Sequence, residues 1–359
     1  MAMDRRKFIE TSGVAAGAAV LGNITSPVKP ESASVIEQKT GMKSKIKLGL
    51  YSISYGGIWY KGKALSFDEL CKYAKEFGFE GIELDNKRPM GNPMDLDQRK
   101  RDEMHNSLAK YNLEIPCIAA NNDFSSPIPE HRECQLLMVR ETARLAKEMG
   151  AKIVRLFAAW PGVPIHNGIG TYELVRGDGF YTFLRQYPYS TWLDRYNYVK
   201  ECLVEAAKIG EEYGIVMALQ NHAPLIRKWR DTFDLVKEVN SPGLKVCLDL
   251  PIFDKQDKDY IADAVRKIGN LQVHSHFGGE YYRDENNVVK PKMLDYYAGG
   301  IMPDYSHYIQ LMNEIGYNGY FTFELCHQLL NEDHSIAGIE FVHEQVALAR
   351  EYLAGIINK

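Results

Sequence analysis

The chain has 359 residues, of which 45% are hydrophobic and 25% are charged, so it is long enough for one large folded domain. This composition excludes an intrinsically disordered protein. The formal net charge is −4, and no long basic run occurs beyond the N-terminus. The charge argues against a nucleic acid or an acidic membrane surface as the partner.

The N-terminus has the features of an export signal. Arg5 and Arg6 precede a weakly apolar stretch rich in Ala and Gly, which is too short to span a bilayer. This order resembles a twin-arginine signal, although a frayed basic tail is the alternative. We expect residues 1–30 to be the signal, 31–44 a linker and 45–359 the catalytic domain. The protein is then periplasmic or otherwise exported, with no stable membrane insertion after export.

Short apolar runs alternate with longer amphipathic stretches along most of the chain, which is typical of parallel βα units. Eight such units favour a closed (β/α)8 TIM barrel in a single domain over an open sheet. The predicted strands are residues 45–52, 81–85, 114–120, 152–159, 215–220, 244–250, 271–276 and 320–325.

Two connections are too long to be simple turns. Residues 160–191, after strand four, and residues 277–303, after strand seven, are both rich in aromatic side chains. Both follow the carboxyl ends of strands, where barrel enzymes bind substrates. We expect each to form a lid or a pocket wall; the alternative is that they pack on the outer helices.

Four residues at or near the ends of strands five to eight have side chains that bind metals: Gln220, Asp249, His276 and Glu324. In a closed barrel these strand ends converge on one mouth. Oxygen ligands with one imidazole and no thiolate suit one divalent cation, namely Mn, Mg, Co or Zn.

The four motifs in this order resemble the xylose-isomerase-like superfamily of sugar phosphate isomerases and epimerases, over about residues 45–355. That superfamily also includes tagatose and psicose epimerases, inosose dehydratase and endonuclease IV. The resemblance implies that Asp249, His276 and Glu324 are metal ligands on strands six, seven and eight. It also implies a small-molecule carbohydrate substrate.

The chain departs from the family pattern at two places. At Gln220, isomerases and epimerases usually have Glu. Shortly after Asp249, where several members have a His, this chain has no His and continues with Pro251. In the epimerases that this chain resembles, two metal-bound glutamates act as bases on opposite sides of the substrate. An amide can ligate through its oxygen but cannot accept a proton, and it leaves the metal a stronger Lewis acid. Elimination needs one base to remove a proton and one acid to assist the leaving group. We therefore favour a lyase or dehydratase.

Three residues are candidates for the catalytic steps. Glu324 is the only glutamate in the proposed ligand set, so we predict that it abstracts the proton. His222 follows Gln220 by two residues and His274 alternates with His276, so each is a candidate for assisting the leaving group. A loop histidine without a role and a buried supporting histidine are the respective alternatives.

Four further residues are candidates for binding the substrate: Glu83, Arg155, Trp160 and Arg283. Glu83 on strand two is either catalytic or the buried partner of Arg155 on strand four. Trp160 begins the first aromatic connection. Arg283 is a loop cation that grips a hydroxyl or carboxylate or is simply solvated.

The sequence therefore predicts a metal-dependent enzyme of a keto sugar, cyclitol or 3-keto-glycoside, acting through an enediolate with elimination favoured. One alternative is an aldose–ketose isomerase or epimerase of a simple sugar. Another is a sugar-binding barrel that has lost catalysis. A slightly acidic chain with few histidines at strand ends argues against a nuclease. The sequence does not indicate the oligomeric state.

Overall fold

A computed structural model describes residues 46–160, 162–171, 187–295 and 297–358. In this part of the chain, eight parallel strands close a barrel in the order β1-β8-β7-β6-β5-β4-β3-β2. The strands are β1 (Lys47–Tyr51), β2 (Gly81–Asp85), β3 (Cys117–Ala119), β4 (Ile153–Leu156), β5 (Val216–Gln220), β6 (Leu244–Asp249), β7 (Gln272–Gly278) and β8 (Tyr320–Glu324).

One long helix follows each strand along the described chain. The helices are α1 (Phe67–Phe77), α2 (Gln98–Tyr111), α3 (Pro129–Glu148), α4 (Trp192–Tyr213), α5 (Trp229–Val239), α6 (Lys258–Ile268), α7 (Tyr305–Glu314) and α8 (Ile339–Ile357). Helix α1 begins with a capping box between Ser66 and Glu69 and ends at Gly78, whose backbone is in the left-handed region. The predicted (β/α)8 barrel is confirmed.

Strands β3 and β4 are shorter than predicted, and β4 ends early because Phe157 and Ala158 bond to the loop that follows β3. The amide of Phe124 donates to the carbonyl of Ala158, and the side chain of Asn122 donates to the carbonyl of Phe157. These bonds replace ladder bonds that a longer strand would make. The β3 and β4 ends are therefore tied to each other at the mouth of the barrel.

Each of the two long connections contains a short antiparallel hairpin. Ile165–His166 pairs with Ile169–Gly170 after β4, and Tyr281–Arg283 pairs with Val289–Pro291 after β7. The second hairpin is fixed on α8, because Gln345 bonds both the amide and the carbonyl of Tyr281. For that segment the placement favours packing on the outer helices.

Several expectations fall on residues that the structure does not describe. They are the export signal and linker, most aromatic residues of the 160–191 connection, and Tyr296. Whether residues 160–191 form a lid therefore stays a prediction. Among the helices of the described ranges, none has the length and apolar character needed to cross a membrane.

Candidate active site

Glu83 lies at the centre of a buried network inside the barrel. Its side chain is fully buried, and it accepts hydrogen bonds from Arg155 Nε at 2.8 Å, His274 Nε2 at 2.7 Å and His276 Nε2 at 2.7 Å. Burial raises the pKa of Glu83, but the charges on His276 and Arg155, together with His274, outweigh it and hold the pKa well below its usual range. Glu83 is thus the buried partner of Arg155, one of the two roles weighed for it.

The guanidinium of Arg155 also controls Gln220. Arg155 Nη1 donates to Gln220 Oε1 at 2.5 Å, and Gln220 Nε2 donates to Asp249 Oδ2 at 2.8 Å. All three side chains are buried. In this arrangement Gln220 presents its nitrogen, and not its oxygen, to Asp249. Because a metal accepts electrons from the oxygen of an amide, Gln220 does not act as a ligand unless the amide turns over.

The structure brings the four predicted ligands together, since Gln220 Nε2 lies 2.8 Å from Asp249 Oδ2 and 3.4 Å from His276 Nδ1. Asp249, His276 and Glu324 each offer one ligand atom, and these atoms all lie within 4.8 Å of one another. Asp249 Oδ1 is buried without a hydrogen-bond partner among the described residues. His276 Nε2 donates to Glu83, which orients the ring so that Nδ1 lies 3.6 Å from Asp249 Oδ2 and 3.4 Å from Gln220 Nε2. An unpaired carboxylate oxygen beside an oriented imidazole fits a divalent cation.

The buried surroundings of Glu324 shift the pKa of its carboxyl group upward. Burial raises the pKa of Glu324, and nearby Asp249 adds to the effect, whereas His276 and Arg155 oppose it. A bound cation would reverse this balance, because positive charge stabilises a carboxylate.

A second group, consisting of Glu83, Cys117 and His274, also has ligand atoms within 4.8 Å of one another. All three side chains are fully buried. Since three donors already occupy the Glu83 carboxylate, this group offers a cation less than the first group does.

His222 and Trp160 lie together beyond the strand ends. The ring of His222 is 5.0 Å from Trp160 and 5.1 Å from Phe157, both in edge contact. Burial lowers the pKa of His222 to about 4, so its imidazole is neutral at neutral pH. A neutral ring accepts a proton more readily than it donates one. The structure thus gives His222 a site at the mouth, while its catalytic role stays a prediction.

His274 and Arg283 lie where direct contact with a substrate is hard to arrange. His274 is fully buried, and its Nε2 bonds to Glu83. Its Nδ1 has no hydrogen-bond partner among the described residues. This placement favours a supporting role for His274. Arg283 forms two hydrogen bonds to Glu351 of α8, at 3.0 and 2.7 Å. Arg283 is therefore held on the outer helix, away from the group of candidate ligands on the strand ends.

The sequence interpretation missed a second polar cluster at the mouth. Asp85 accepts from the hydroxyl of Tyr51 at 2.6 Å, from the amide of Lys87 at 2.8 Å and from Asn121 at 2.7 Å. The ammonium of Lys87 donates to Asn121 and lies 5.1 Å from the ring centre of Trp160. Alternation along β2 places Asp85 on the same face as Glu83, and this was the signal that could have found the cluster.

A comparison with protein-family models matches residues 71–345 to the family described as xylose isomerase-like TIM barrel. The chain belongs to this family. Its closed eight-stranded barrel agrees with the resemblance stated from the sequence. A search of curated proteins found no match.

Solved structures of the same fold include sugar epimerases and a probable dehydratase. D-psicose 3-epimerase from Clostridium cellulolyticum H10 is 16% identical, with a TM-score of 0.63 over 88% of this chain and 100% of that one. 3-Keto-D-glucoside 4-epimerase from E. coli is 17% identical, with a TM-score of 0.58 over 85% and 99%. A probable 3-DHS dehydratase from Bacillus anthracis is 17% identical, with a TM-score of 0.57 over 86% and 99%. At these identities the likeness shows the fold.

Proposed function

We propose that this chain is a divalent-metal-dependent enzyme of the isomerase and epimerase type. It removes the proton beside the carbonyl of a keto sugar, cyclitol or 3-keto-glycoside, with elimination favoured. The observation that carries the proposal is the group of Asp249, His276 and Glu324, next to a glutamine that Arg155 has turned away from ligation. Family membership supports an enzyme of this type.

The residues that would hold the cation are Asp249, His276 and Glu324, and Mn, Mg, Co or Zn suits their oxygen and nitrogen atoms. When bound, the cation would supply Lewis-acid polarisation of a carbonyl oxygen. Titration calorimetry with Mn²⁺ tests this site. We expect Asp249→Asn to weaken binding at least about tenfold, because the variant loses a charged ligand.

The matched control for that titration is Asp85→Asn. Asp85 is also a buried carboxylate at the mouth, but its oxygens are occupied by Tyr51, Lys87 and Asn121. Its variant should bind Mn²⁺ as the wild type does. Equal affinity in the wild type and Asp249→Asn would reject the proposed metal centre.

Glu324 is the residue of this group best suited to abstract a proton. Gln220 cannot act as a base, because a neutral amide does not accept a proton near neutral pH. Glu83 is saturated by three donors. The site therefore contains one free glutamate, whereas proton transfer on both faces of a sugar needs two groups.

One base is sufficient for elimination from a 3-keto-glycoside. The proton on C2 goes to Glu324, a double bond forms between C1 and C2, and the bond from C1 to the glycosidic oxygen breaks. The electron pair leaves with that oxygen, which takes up a proton. The products are an unsaturated keto sugar and the free alcohol, so the step needs no oxidant, reductant or added water.

Incubation of metal-loaded protein with keto sugars and 3-keto-glycosides in D₂O tests the reaction. An unsaturated product supports elimination. Solvent deuterium beside the carbonyl together with an inverted centre supports instead an epimerase of a simple sugar, which the names of the similar structures favour. A protein that binds sugar but neither exchanges protons nor binds metal is the non-catalytic barrel.

We also propose that the protein is exported, which rests on Arg5 and Arg6 and the stretch that follows them. Export would make glycosides and oxidised sugars more accessible than phosphorylated metabolites. Replacing both arginines by lysine should retain the protein in the cytoplasm of an expressing bacterium. Unchanged export of that variant would contradict the twin-arginine assignment.

A further inference from the structure

A cavity of about 560 Å³ lies beside the candidate metal centre, on the side where β5 and β6 end. Its lining comes from the segments after these two strands and includes His222, Ile226, Lys228, Trp229, Phe253 and Asp254. The volume falls within the range of about 300–1,000 Å³ that is usual for small-molecule sites.

The cavity is physically joined to the predicted catalytic residues. Asn221, which lines it, donates to the carbonyl of Asp249 at 3.2 Å and accepts from the amide of Asp249 at 2.7 Å. His222, the next residue, also lines it. The cavity thus begins at a residue that is bonded to the backbone of Asp249.

The chemistry of the lining is mixed in a way that suits a sugar ring. Ile226, Trp229 and Phe253 line the cavity as an apolar floor, and only 1–3% of each residue is exposed. The indole Nε1 of Trp229 is buried without a hydrogen-bond partner among the described residues. An unpaired buried donor costs free energy, and a ligand hydroxyl that reached this nitrogen would recover it.

Charged groups stand at the edge of the same cavity. Lys228 is exposed, and Asp254 is partly exposed and accepts from the hydroxyl of Tyr260 at 2.7 Å. An ammonium donates to hydroxyl oxygens, and a carboxylate accepts from hydroxyl hydrogens. A ring carrying several hydroxyls satisfies these groups, whereas a purely apolar group would leave the indole N–H unpaired.

We infer that this cavity is a second sugar subsite, which binds the leaving pyranosyl group of a 3-keto-disaccharide. The inference rests on the proposed function and narrows its substrate class from keto sugars in general to glycosides with a second ring. Binding energy from that ring would position the reacting ring at Glu324.

Steady-state kinetics with two substrates test the subsite: a 3-keto-disaccharide and a methyl 3-keto-glucoside. We expect the wild type to prefer the disaccharide at least about tenfold in kcat/KM. Ile226→Trp fills the cavity and should abolish this preference by lowering kcat/KM for the disaccharide. Trp229→Phe keeps an aromatic side chain, although a smaller one, and removes the N–H. It should lower the preference for the disaccharide about two- to tenfold, as the loss of one hydrogen bond predicts.

Leu137→Trp is the matched control, because Leu137 lines a separate cavity between α3 and α4. This variant should keep the wild-type preference. A wild type without any preference, or an Ile226→Trp variant with the same preference as the wild type, would overturn the subsite.

Saturation-transfer NMR with cellobiose, maltose and trehalose separates the subsite from the reaction, since these disaccharides have no keto group. Contacts to a second ring that disappear in Ile226→Trp support the subsite even if no keto sugar is turned over. Turnover of the methyl 3-keto-glucoside without second-ring contacts in the wild type would overturn the subsite and leave the proposed function in place.

Discussion

The guanidinium of Arg155 donates to the amide oxygen of Gln220 over 2.5 Å, and this bond decides which atom Gln220 offers to the candidate metal centre. Because the oxygen is engaged, the amide nitrogen donates to Asp249. The family resemblance implies a carboxylate ligand at position 220. This barrel instead has the neutral amide of Gln220 there, bonded to the buried guanidinium of Arg155.

Gln220→Glu should change how the protein responds to metal. Without metal, the new carboxylate stands beside Asp249 in place of a donor, so we expect a loss of stability of about 1–3 kcal/mol. With Mn²⁺ bound, the fourth ligand is a carboxylate, so the metal-induced rise in Tm should exceed that of the wild type. Thermal unfolding with and without Mn²⁺ measures both effects.

The control for this prediction is Gln345→Glu, a second buried glutamine that donates to the carbonyl of Tyr281. This variant should lose stability without any larger response to Mn²⁺. An identical metal response in Gln220→Glu and the wild type would contradict the role assigned to position 220.

Arg155→Met should be strongly destabilising. Arg155 and Glu83 are both about 1% exposed or less, and removing the cation leaves Glu83 without its full compensation. Losing one partner of a buried ion pair typically costs about 3–5 kcal/mol. Urea unfolding measures the loss. The double variant Arg155→Met/Glu83→Gln should recover part of it, since it removes the unpaired charge; no recovery would mean that packing alone explains the effect.

The sequence predicted the fold and the carboxyl ends of β5 to β8 well, because both depend on local patterns. Asp249, His276 and Glu324 follow clear apolar runs, and the geometry of a closed barrel then brings them together. The orientation of the Gln220 amide could not be predicted, because it depends on Arg155, which is 65 residues distant. The partner of Arg283 could not be predicted either. Its pairing with Glu351 depends on how the hairpin after β7 packs on α8.

The carboxylate of Glu280 should stabilise the barrel at neutral pH and lose this effect in acid. Burial raises its pKa, but hydrogen bonds from His327 and Lys292 outweigh burial and lower the pKa below the ordinary 4.5. A depressed folded-state pKa stabilises fully above pH 4.5, and this stabilisation is lost as the pH falls through the folded value. Glu280→Gln should therefore be less stable than the wild type at pH 7, with a difference that narrows below pH 4.5.

Urea unfolding across this pH range measures the narrowing. Glu351→Gln is the control, because its ion pair with Arg283 is exposed and should contribute little at any pH. A difference between Glu280→Gln and the wild type that stays constant with pH would show that the carboxylate charge is not what stabilises this loop.

The central claim is that Glu324 abstracts the proton beside a substrate carbonyl. The measurement that tests it most directly is the rate at which deuterium from D₂O enters a 3-keto-glucoside, followed by NMR in metal-loaded wild type and Glu324→Gln. We expect metal-dependent exchange in the wild type and a loss of about 10²- to 10⁴-fold in the variant, the usual contribution of a general base. Calorimetry must show that the variant still binds the metal. Exchange at the wild-type rate in metal-bound Glu324→Gln would contradict the account and assign the base elsewhere.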